Sequence, residues 1–149
     1  MKRELEGVLV LDAGVLIELV LSTDRVAGLQ GAMLEEKVIA KTTEISIIEL
    51  GYILCRKLGM KESRERVRKL LKSGYIDVVD ISLVELVSEY KCRRAISLAD
   101  CYSISLAKAI SAPVIFAVKE EELLKEMKKK AFDVNILFLE ELSLSTPST

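Results

Sequence analysis

The chain has 149 residues, half of them apolar, which is enough for one domain with a substantial core. Its 22 Lys and Arg nearly balance its 23 Asp and Glu, so there is no overall positive field that would hold nucleic acid non-specifically. The sequence contains no histidine, which excludes Ser-His-Asp and Cys-His catalysis and His-ligated metals. Any catalysis must therefore rely on carboxylates.

Cysteine usage and hydropathy bear on the compartment. The three cysteines, Cys55, Cys92 and Cys101, are an odd number without a C-x-x-C pair, which argues against a disulfide framework and a structural zinc site. The sequence shows neither a signal-peptide apolar segment nor an uncharged apolar run approaching ~18 residues. We therefore expect a cytoplasmic protein with no membrane segment.

The first predicted element is a strand over GVLVL, an apolar, β-branched run that ends at Asp12. The predicted elements that follow are helical segments over 15–36 broken near 22–24, a strand over 37–42, helices over 43–58 and 60–74, a strand over 76–82, helices over 83–95 and 97–111, a strand over 113–118, a helix over 119–130 and a strand over 134–139. Residues 1–142 are predicted to form one domain, followed by a disordered tail over 143–149.

Alternating strands and helices of these lengths predict right-handed crossovers and a mainly parallel sheet with helices on both faces. In such α/β sheets, sites lie beyond the carboxyl ends of the strands, where the strand order reverses. This rule directs attention to Asp12 and to the residues that follow Val118. Both places are acidic.

Asp12 is the first candidate. It ends a continuously apolar strand and precedes Ala13 and Gly14, small residues that leave space for a ligand beside the carboxylate. The alternative is that Asp12 only caps the following helix, a common role for aspartate.

Glu49 is the second candidate, because it lies in an unusually apolar helix. Ile45, Ile48 and Tyr52 recur there at helical spacing and predict the apolar face, with Glu49 adjacent to it. An acid in this position either faces solvent or is held in a cleft with a partner or metal. Glu44 is the nearest competing acid.

Asp100 and Glu120 complete the candidate set. Asp100 lies in the first turn of a helix that Ser97 is expected to cap, and the run Glu120–Glu122 begins another helix. The helix dipole alone explains an acid at either position and would lower the pKa of Asp100.

Taken together, two strand ends and two helices each supply one carboxylate to a chain without histidine. Oxygen ligands of this kind select hard cations, Mg²⁺ or Mn²⁺, which retain waters and share their shell with phosphate. Such a metal activates water and stabilises charge on a phosphate, so phosphodiester hydrolysis is the predicted chemistry.

At this point three segments resemble the motifs of the PIN domain family, and within it the VapC-like toxin ribonucleases. The first motif resembles VLDAGVLIEL, in which Asp12 is its aspartate. The second motif resembles TEISIIELGYIL, in which Glu49 is its glutamate. The third motif resembles ISLADCYSISLAKAISAPVIFAV, in which Asp100 is its aspartate. The resemblance covers nearly the whole chain. It implies a three-layer α/β/α fold with about five parallel strands, Mg²⁺-dependent (or Mn²⁺-dependent) endoribonuclease activity, homodimerisation, and a small antitoxin as partner.

The fourth acid departs from the family pattern. Many members continue with Thr-x-Asp-x-x-Phe, which places Glu120 at the aspartate and Val118 at the threonine when Leu123 is aligned with the aromatic residue. The resemblance thus assigns metal binding and catalysis to Asp12, Glu49, Asp100 and Glu120, with Glu121 as the alternative for the last. The lost hydroxyl predicts a weakened or one-metal site.

Three basic residues, Lys91, Arg93 and Arg94, precede Asp100 and are candidates for contacts with an RNA backbone, the alternative being a solvated helix face. Two other functions compete with the nuclease. One is a phosphoacceptor receiver domain using Asp80 and Lys119, which leaves Glu49 and Asp100 without a role. The other is a PIN fold retained as a non-catalytic interaction module, which Val118 favours.

Overall fold

Five short strands form the centre of the molecule in a computed structural model that describes residues 5–143. The strands are β1 (Gly7–Leu11), β2 (Val38–Thr42), β3 (Ile76–Val78), β4 (Val114–Phe116) and β5 (Ile136–Phe138). The helices are α1 (Ala13–Leu21), α2 (Ala27–Leu34), α3 (Glu44–Leu58), α4 (Met60–Lys72), α5 (Val84–Arg93), α6 (Leu98–Ile110), α7 (Glu121–Lys129) and α8 (Leu139–Ser143), with a 3-10 turn over Asp24–Val26.

All strand pairs are parallel, and the order across the sheet is β3-β2-β1-β4-β5. The chain therefore builds outward from β1 in one direction through β2 and β3, and then returns to place β4 on the other side. The strand order reverses at β1, so the end of β1 is the switch point where α/β sheets form their sites. The predicted parallel sheet of about five strands is confirmed.

Two apolar cores lie on opposite faces of the sheet, which gives three layers. Alternate residues of β1 face opposite sides: Leu9 and Leu11 pack with α1, α2 and α3, whereas Val10 packs with α5 and α6. β4 divides in the same way, because Ile115 joins the first core and Phe116 the second. This double burial explains why both strands are continuously apolar.

Local signals fix the helix ends that surround the switch point. The Thr43 side chain accepts a hydrogen bond from the Ser46 N–H at 3.1 Å and caps α3, and Ser97 caps α6 in the same way. Gly59, with φ of 89°, ends α3. These caps agree with the predicted helix starts at both places.

The predicted apolar face of α3 was wrong. Ile48 is 52% exposed and Tyr52 42% exposed, whereas Leu50 and Leu54 are fully buried in the core. Nearly every position of this helix is apolar, so several stripes fit the helical period and the sequence does not decide between them.

Most of the predicted tail, 144–149, lies outside the described residues, and α8 continues to residue 143. Within residues 5–143, no helix is both long enough and apolar enough to cross a membrane. All three cysteines are free, and Cys101 is buried in the core.

Candidate functional site

Asp12 lies directly after β1, at the first position before α1. Its side chain makes no capping hydrogen bond to that helix. Instead, Ser103 of α6 donates a 2.6 Å hydrogen bond from its hydroxyl to Oδ1 of Asp12. The Asp12 N–H is bound to the Ile115 carbonyl of β4 at 3.1 Å. Asp12 is therefore held between the two central strands with its carboxylate turned towards α6, and capping does not account for it.

The pKa of Asp12 is raised to about 6. Burial is the main cause, and the negative charges of Glu49 and Glu120 add to it. The hydrogen bond from Ser103 acts in the opposite direction, because it stabilises the ionised form.

Asp100 lies in the first turn of α6 and is 7% exposed. Its pKa is raised to about 7, first by burial and then by the charges of Asp12 and Glu120. The expectation that the helix dipole would lower this pKa was wrong. Burial and two nearby carboxylates outweigh the dipole, whose contribution is limited to the first helical turn.

Glu49 reaches the same place from α3. Burial raises its pKa, as does the charge of Glu120, while a 3.3 Å hydrogen bond from the Tyr52 hydroxyl lowers it. Glu44, the competing acid, is exposed in the first turn of α3. The structure thus brings Glu49, and not Glu44, into electrostatic contact with the other candidates.

Glu120 lies at the end of the loop that follows β4, immediately before α7. Its side chain is exposed, yet its charge raises the pKa of Asp12, Glu49 and Asp100. Glu121 points elsewhere and pairs with Lys125 at 3.2 Å on the outer face of α7. The geometry therefore favours Glu120 over Glu121 as the fourth member of the cluster.

Asp12, Glu49, Asp100 and Glu120, hereafter the acidic cluster, come from four separate elements. The charge of Glu120 raises the pKa of each of the other three. Within residues 5–143, none of the four forms an ion pair with Lys or Arg. A cluster of uncompensated carboxylates with oxygen-only donors has the chemistry that hard divalent cations require. In the same part of the chain, however, no three acidic or cysteine side chains are already arranged to hold a metal ion.

The predicted RNA contacts divide into two kinds. Lys91 is exposed and donates to the Ile96 carbonyl at 2.7 Å, and Arg93 forms an exposed ion pair with Glu89 at 3.4 Å. Both residues are exposed on α5.

Arg94 is different, because its side chain is only 11% exposed. Its guanidinium donates to the backbone carbonyls of Glu126, Lys130 and Ala131 and lies 3.9 Å from the ring centroid of Phe132. These contacts join α5 to the end of α7. They give Arg94 a structural role in place of the predicted RNA contact.

Ser103 was not among the predicted site residues. It follows Asp100 by three positions on α6, so both side chains lie on the same face of the helix. Ser103 is fully buried, and a buried hydroxyl requires a hydrogen-bond partner. This burial is visible only in the structure, so no signal in the sequence identified Ser103.

The receiver-domain alternative fails on geometry. Asp80 is exposed beyond β3, an edge strand, and Lys119 forms an ion pair with Glu141. Neither residue takes part in the acidic cluster, which lies at the end of the central strand.

The chain has a three-layer α/β/α fold, and its acidic cluster lies at the switch point of a parallel sheet with strand order 3-2-1-4-5. These features place it in a class of small α/β proteins. The sequence profile of the PIN domain matches residues 9–131, and the chain belongs to the PIN domain family. Comparison with curated protein sequences found no significant match.

Solved structures with the same fold include components of VapBC toxin–antitoxin systems. VapBC2 from Rickettsia felis, bound to a promoter DNA fragment, has a TM-score of 0.65 at 15% identity over 89% of this chain and 98% of that chain. DNA-bound VapBC from Salmonella typhimurium has a TM-score of 0.66 at 14% identity, covering 88% and 97%. VapC20 from Mycobacterium tuberculosis, a toxin that cleaves the sarcin-ricin loop, has a TM-score of 0.61 at 15% identity, covering 78% and 94%.

Proposed function

We propose that this protein is a Mg²⁺- or Mn²⁺-dependent endoribonuclease and the toxin of a VapBC-type toxin–antitoxin pair. One observation carries the proposal: four carboxylates from four elements converge at the switch point, and no Lys or Arg of the described residues forms an ion pair with them. Membership of the PIN domain family and the fold shared with VapBC proteins support it. The expected compartment is the cytoplasm.

Asp12, Glu49, Asp100 and Glu120 are the residues that would hold the cation. A bound divalent ion supplies a Lewis acid for the attacking water and the phosphate oxygens. Binding requires Asp12 and Asp100 to lose the protons that their raised pKa values of about 6 and 7 allow them to carry. Metal affinity is therefore expected to rise as the pH increases through this range.

The protein's own groups have distinct tasks in this scheme. Ser103 fixes the orientation of Asp12 through the 2.6 Å hydrogen bond, and Tyr52 orients Glu49 at 3.3 Å. Hydrolysis forms one P–O bond to water and breaks one to a ribose oxygen, and the leaving oxygen takes up a proton. A carboxyl group with a pKa near neutrality is suited to exchange such a proton. Lys91 and Arg93 remain the proposed contacts with the RNA backbone.

The proposed protein partner is a small antitoxin, in line with the VapBC complexes that share the fold. Homodimerisation remains a prediction of the family resemblance.

The test is cleavage of a mixed structured RNA by the purified chain during Mg²⁺ and Mn²⁺ titration, with EDTA as a control. Asp12→Asn and Asp100→Asn should both abolish cleavage while the protein stays folded. Asp80→Asn is the matched control, because it changes the same chemical group at an exposed position and should cleave like the wild type. Cleavage retained by Asp12→Asn in nuclease-free preparations would refute the proposed role.

A non-catalytic interaction module is the second candidate. Two observations favour it: Val118 lacks the hydroxyl of the family motif, and no three side chains of the described residues are prearranged around a metal position. This candidate predicts neither Mn²⁺ binding in calorimetry nor metal-dependent cleavage, the opposite of the nuclease on both measurements.

A further inference from the structure

A hydrogen-bonded network connects the end of α1 to the loop after β4. Arg25, in the 3-10 turn, donates from Nε and Nη2 to the two carboxylate oxygens of Glu18 at 3.0 and 2.5 Å. Nη2 also donates to the Ala117 carbonyl at 3.1 Å, 92 residues away in sequence. Thr23 completes the network with a 2.8 Å hydrogen bond to Glu18.

The network stabilises the ionised form of Glu18. Its side chain is only 14% exposed. Burial acts to raise the pKa of Glu18, but the hydrogen bonds from Arg25 and Thr23 outweigh it and keep this pKa below the ordinary value. A bidentate guanidinium–carboxylate pair of this kind is geometrically specific, since both donors must align with both oxygens.

The loop that Arg25 reaches, residues 117–120, is the one that presents Glu120 to the acidic cluster. Its other contacts come from two further elements. Glu140 of α8 accepts a 2.7 Å hydrogen bond from the Lys119 N–H, and Gly14 of α1 packs against Ala117 closely enough that an added Cβ would lie 2.9 Å from the Ala117 Cβ. The backbone of this loop is thus fixed on both sides.

We propose that Arg25, held by Glu18, is a positioning residue that fixes the 117–120 loop so that Glu120 faces the other three carboxylates. This inference rests on the proposed function, because it concerns how the metal-binding set is assembled. The alternative is that Arg25 only attaches the 3-10 turn to α1. Under that alternative, removing Arg25 would not change how Glu120 contributes to metal binding.

A double-mutant cycle on Mn²⁺ affinity separates these readings. Calorimetry would measure Mn²⁺ binding by the wild type, Arg25→Ala, Glu120→Gln and the double variant. We expect Arg25→Ala to weaken binding about tenfold, as is usual for residues that orient ligands. In the Glu120→Gln background the same change should have no further effect on Mn²⁺ affinity. The melting temperature should fall by the same amount in both backgrounds.

Arg25→Lys covers the case in which Arg25→Ala fails to fold. Lysine retains the charge beside Glu18 but cannot bridge Glu18 and the Ala117 carbonyl with the same fork of donors, so we expect an intermediate loss of Mn²⁺ affinity. Arg66→Ala is the matched control: Arg66 has the same 38% exposure and also pairs with a glutamate, Glu62, but lies on α4. Its Mn²⁺ affinity should equal that of the wild type.

Additive losses of Mn²⁺ affinity in the cycle, or an unchanged affinity in Arg25→Ala, would overturn the inference while leaving the nuclease proposal intact. An unchanged affinity in Glu120→Gln would overturn the inference and also remove Glu120 from the proposed metal ligands. A wild-type protein that binds no Mn²⁺ would overturn both. Binding and cleavage by the wild type with no response to Arg25→Ala would therefore refute the positioning role alone.

Discussion

The Ser103 hydroxyl and the Asp12 carboxylate are joined by a 2.6 Å hydrogen bond between α6 and the end of β1. Because the hydroxyl stabilises the ionised carboxylate, it opposes the rise in the pKa of Asp12 that burial causes. Ser103 thereby lowers the pH at which Asp12 would become available as the proposed metal ligand.

Ser103→Ala should raise the pKa of Asp12 and weaken Mn²⁺ binding at pH 6 by about tenfold, with a smaller loss at pH 8 where Asp12 is ionised in either protein. Calorimetry at the two pH values measures this. Ser105→Ala is the control, because Ser105 is a buried neighbour on α6 whose hydroxyl has no hydrogen-bond partner among residues 5–143. Equal losses at both pH values would show that Ser103 acts through shape and not through protonation.

The stability of the metal-free protein should depend on pH through Asp12 and Asp100. Their pKa values rise from 3.8 to about 6 and about 7 on folding. The folded state therefore binds more protons than the unfolded state, so the stability that these groups contribute is full below pH 4 and is lost as the pH rises through 6 and 7.

Asp100→Asn removes the carboxyl group whose pKa rises more on folding. The free energy of unfolding of the variant minus that of the wild type should therefore increase by about 2 kcal/mol when the pH is raised from roughly 5 to 8. Urea denaturation without metal at both pH values measures it. A difference between the two proteins that stays constant with pH would contradict the raised pKa of Asp100.

Gly14 should tolerate no side chain, because a Cβ there would meet the Ala117 Cβ at 2.9 Å. Gly14→Ala is expected to lower the free energy of unfolding by about 1–3 kcal/mol through overpacking. Gly51→Ala is the control on α3, where an added Cβ meets nothing within 4 Å, and it should gain about 0.5–1 kcal/mol from helix propensity. Equal stability of the two variants in chemical denaturation would show that α1 can shift away from β4.

Arg94 and Arg93 are adjacent in sequence but should behave differently. Arg94→Ala removes the hydrogen bonds to three carbonyls and the 3.9 Å ion pair with the buried Glu126, whose carboxylate then keeps only Lys129 as a partner among the described residues. The change should cost about 3 kcal/mol. Arg93→Ala removes only an exposed ion pair and should cost about 0.5 kcal/mol or less. Thermal unfolding of the two variants tests this expectation. Equal melting temperatures would contradict the structural role of Arg94.

The sequence could predict the features that depend on local pattern. The buried strand before Asp12, the cap at Ser97 and the parallel sheet all follow from hydrophobic runs and helix signals. It could not predict which stripe of α3 is buried, because Ile48 and Leu50 are equally apolar and only the tertiary packing distinguishes them.

Long-range contacts were also hidden from the sequence. The partners of Arg94 lie 32–37 residues further along the chain, so its basic character alone indicated a nucleic-acid contact. The position of Asp100 in a helical first turn was visible, but its burial beside Asp12 was not, and burial decides the direction of its pKa shift. Ser103 was missed for the same reason.

The strand order has a consequence for how the protein acquires its site during translation. β4 pairs directly with β1, although β2, β3 and six α-helices are synthesised between them. A nascent chain that ends before β4 leaves one edge of β1 unpaired and contains no Glu120. The acidic cluster can therefore be completed only after residue 120 has left the ribosome, so a partly made chain is expected to lack the assembled site.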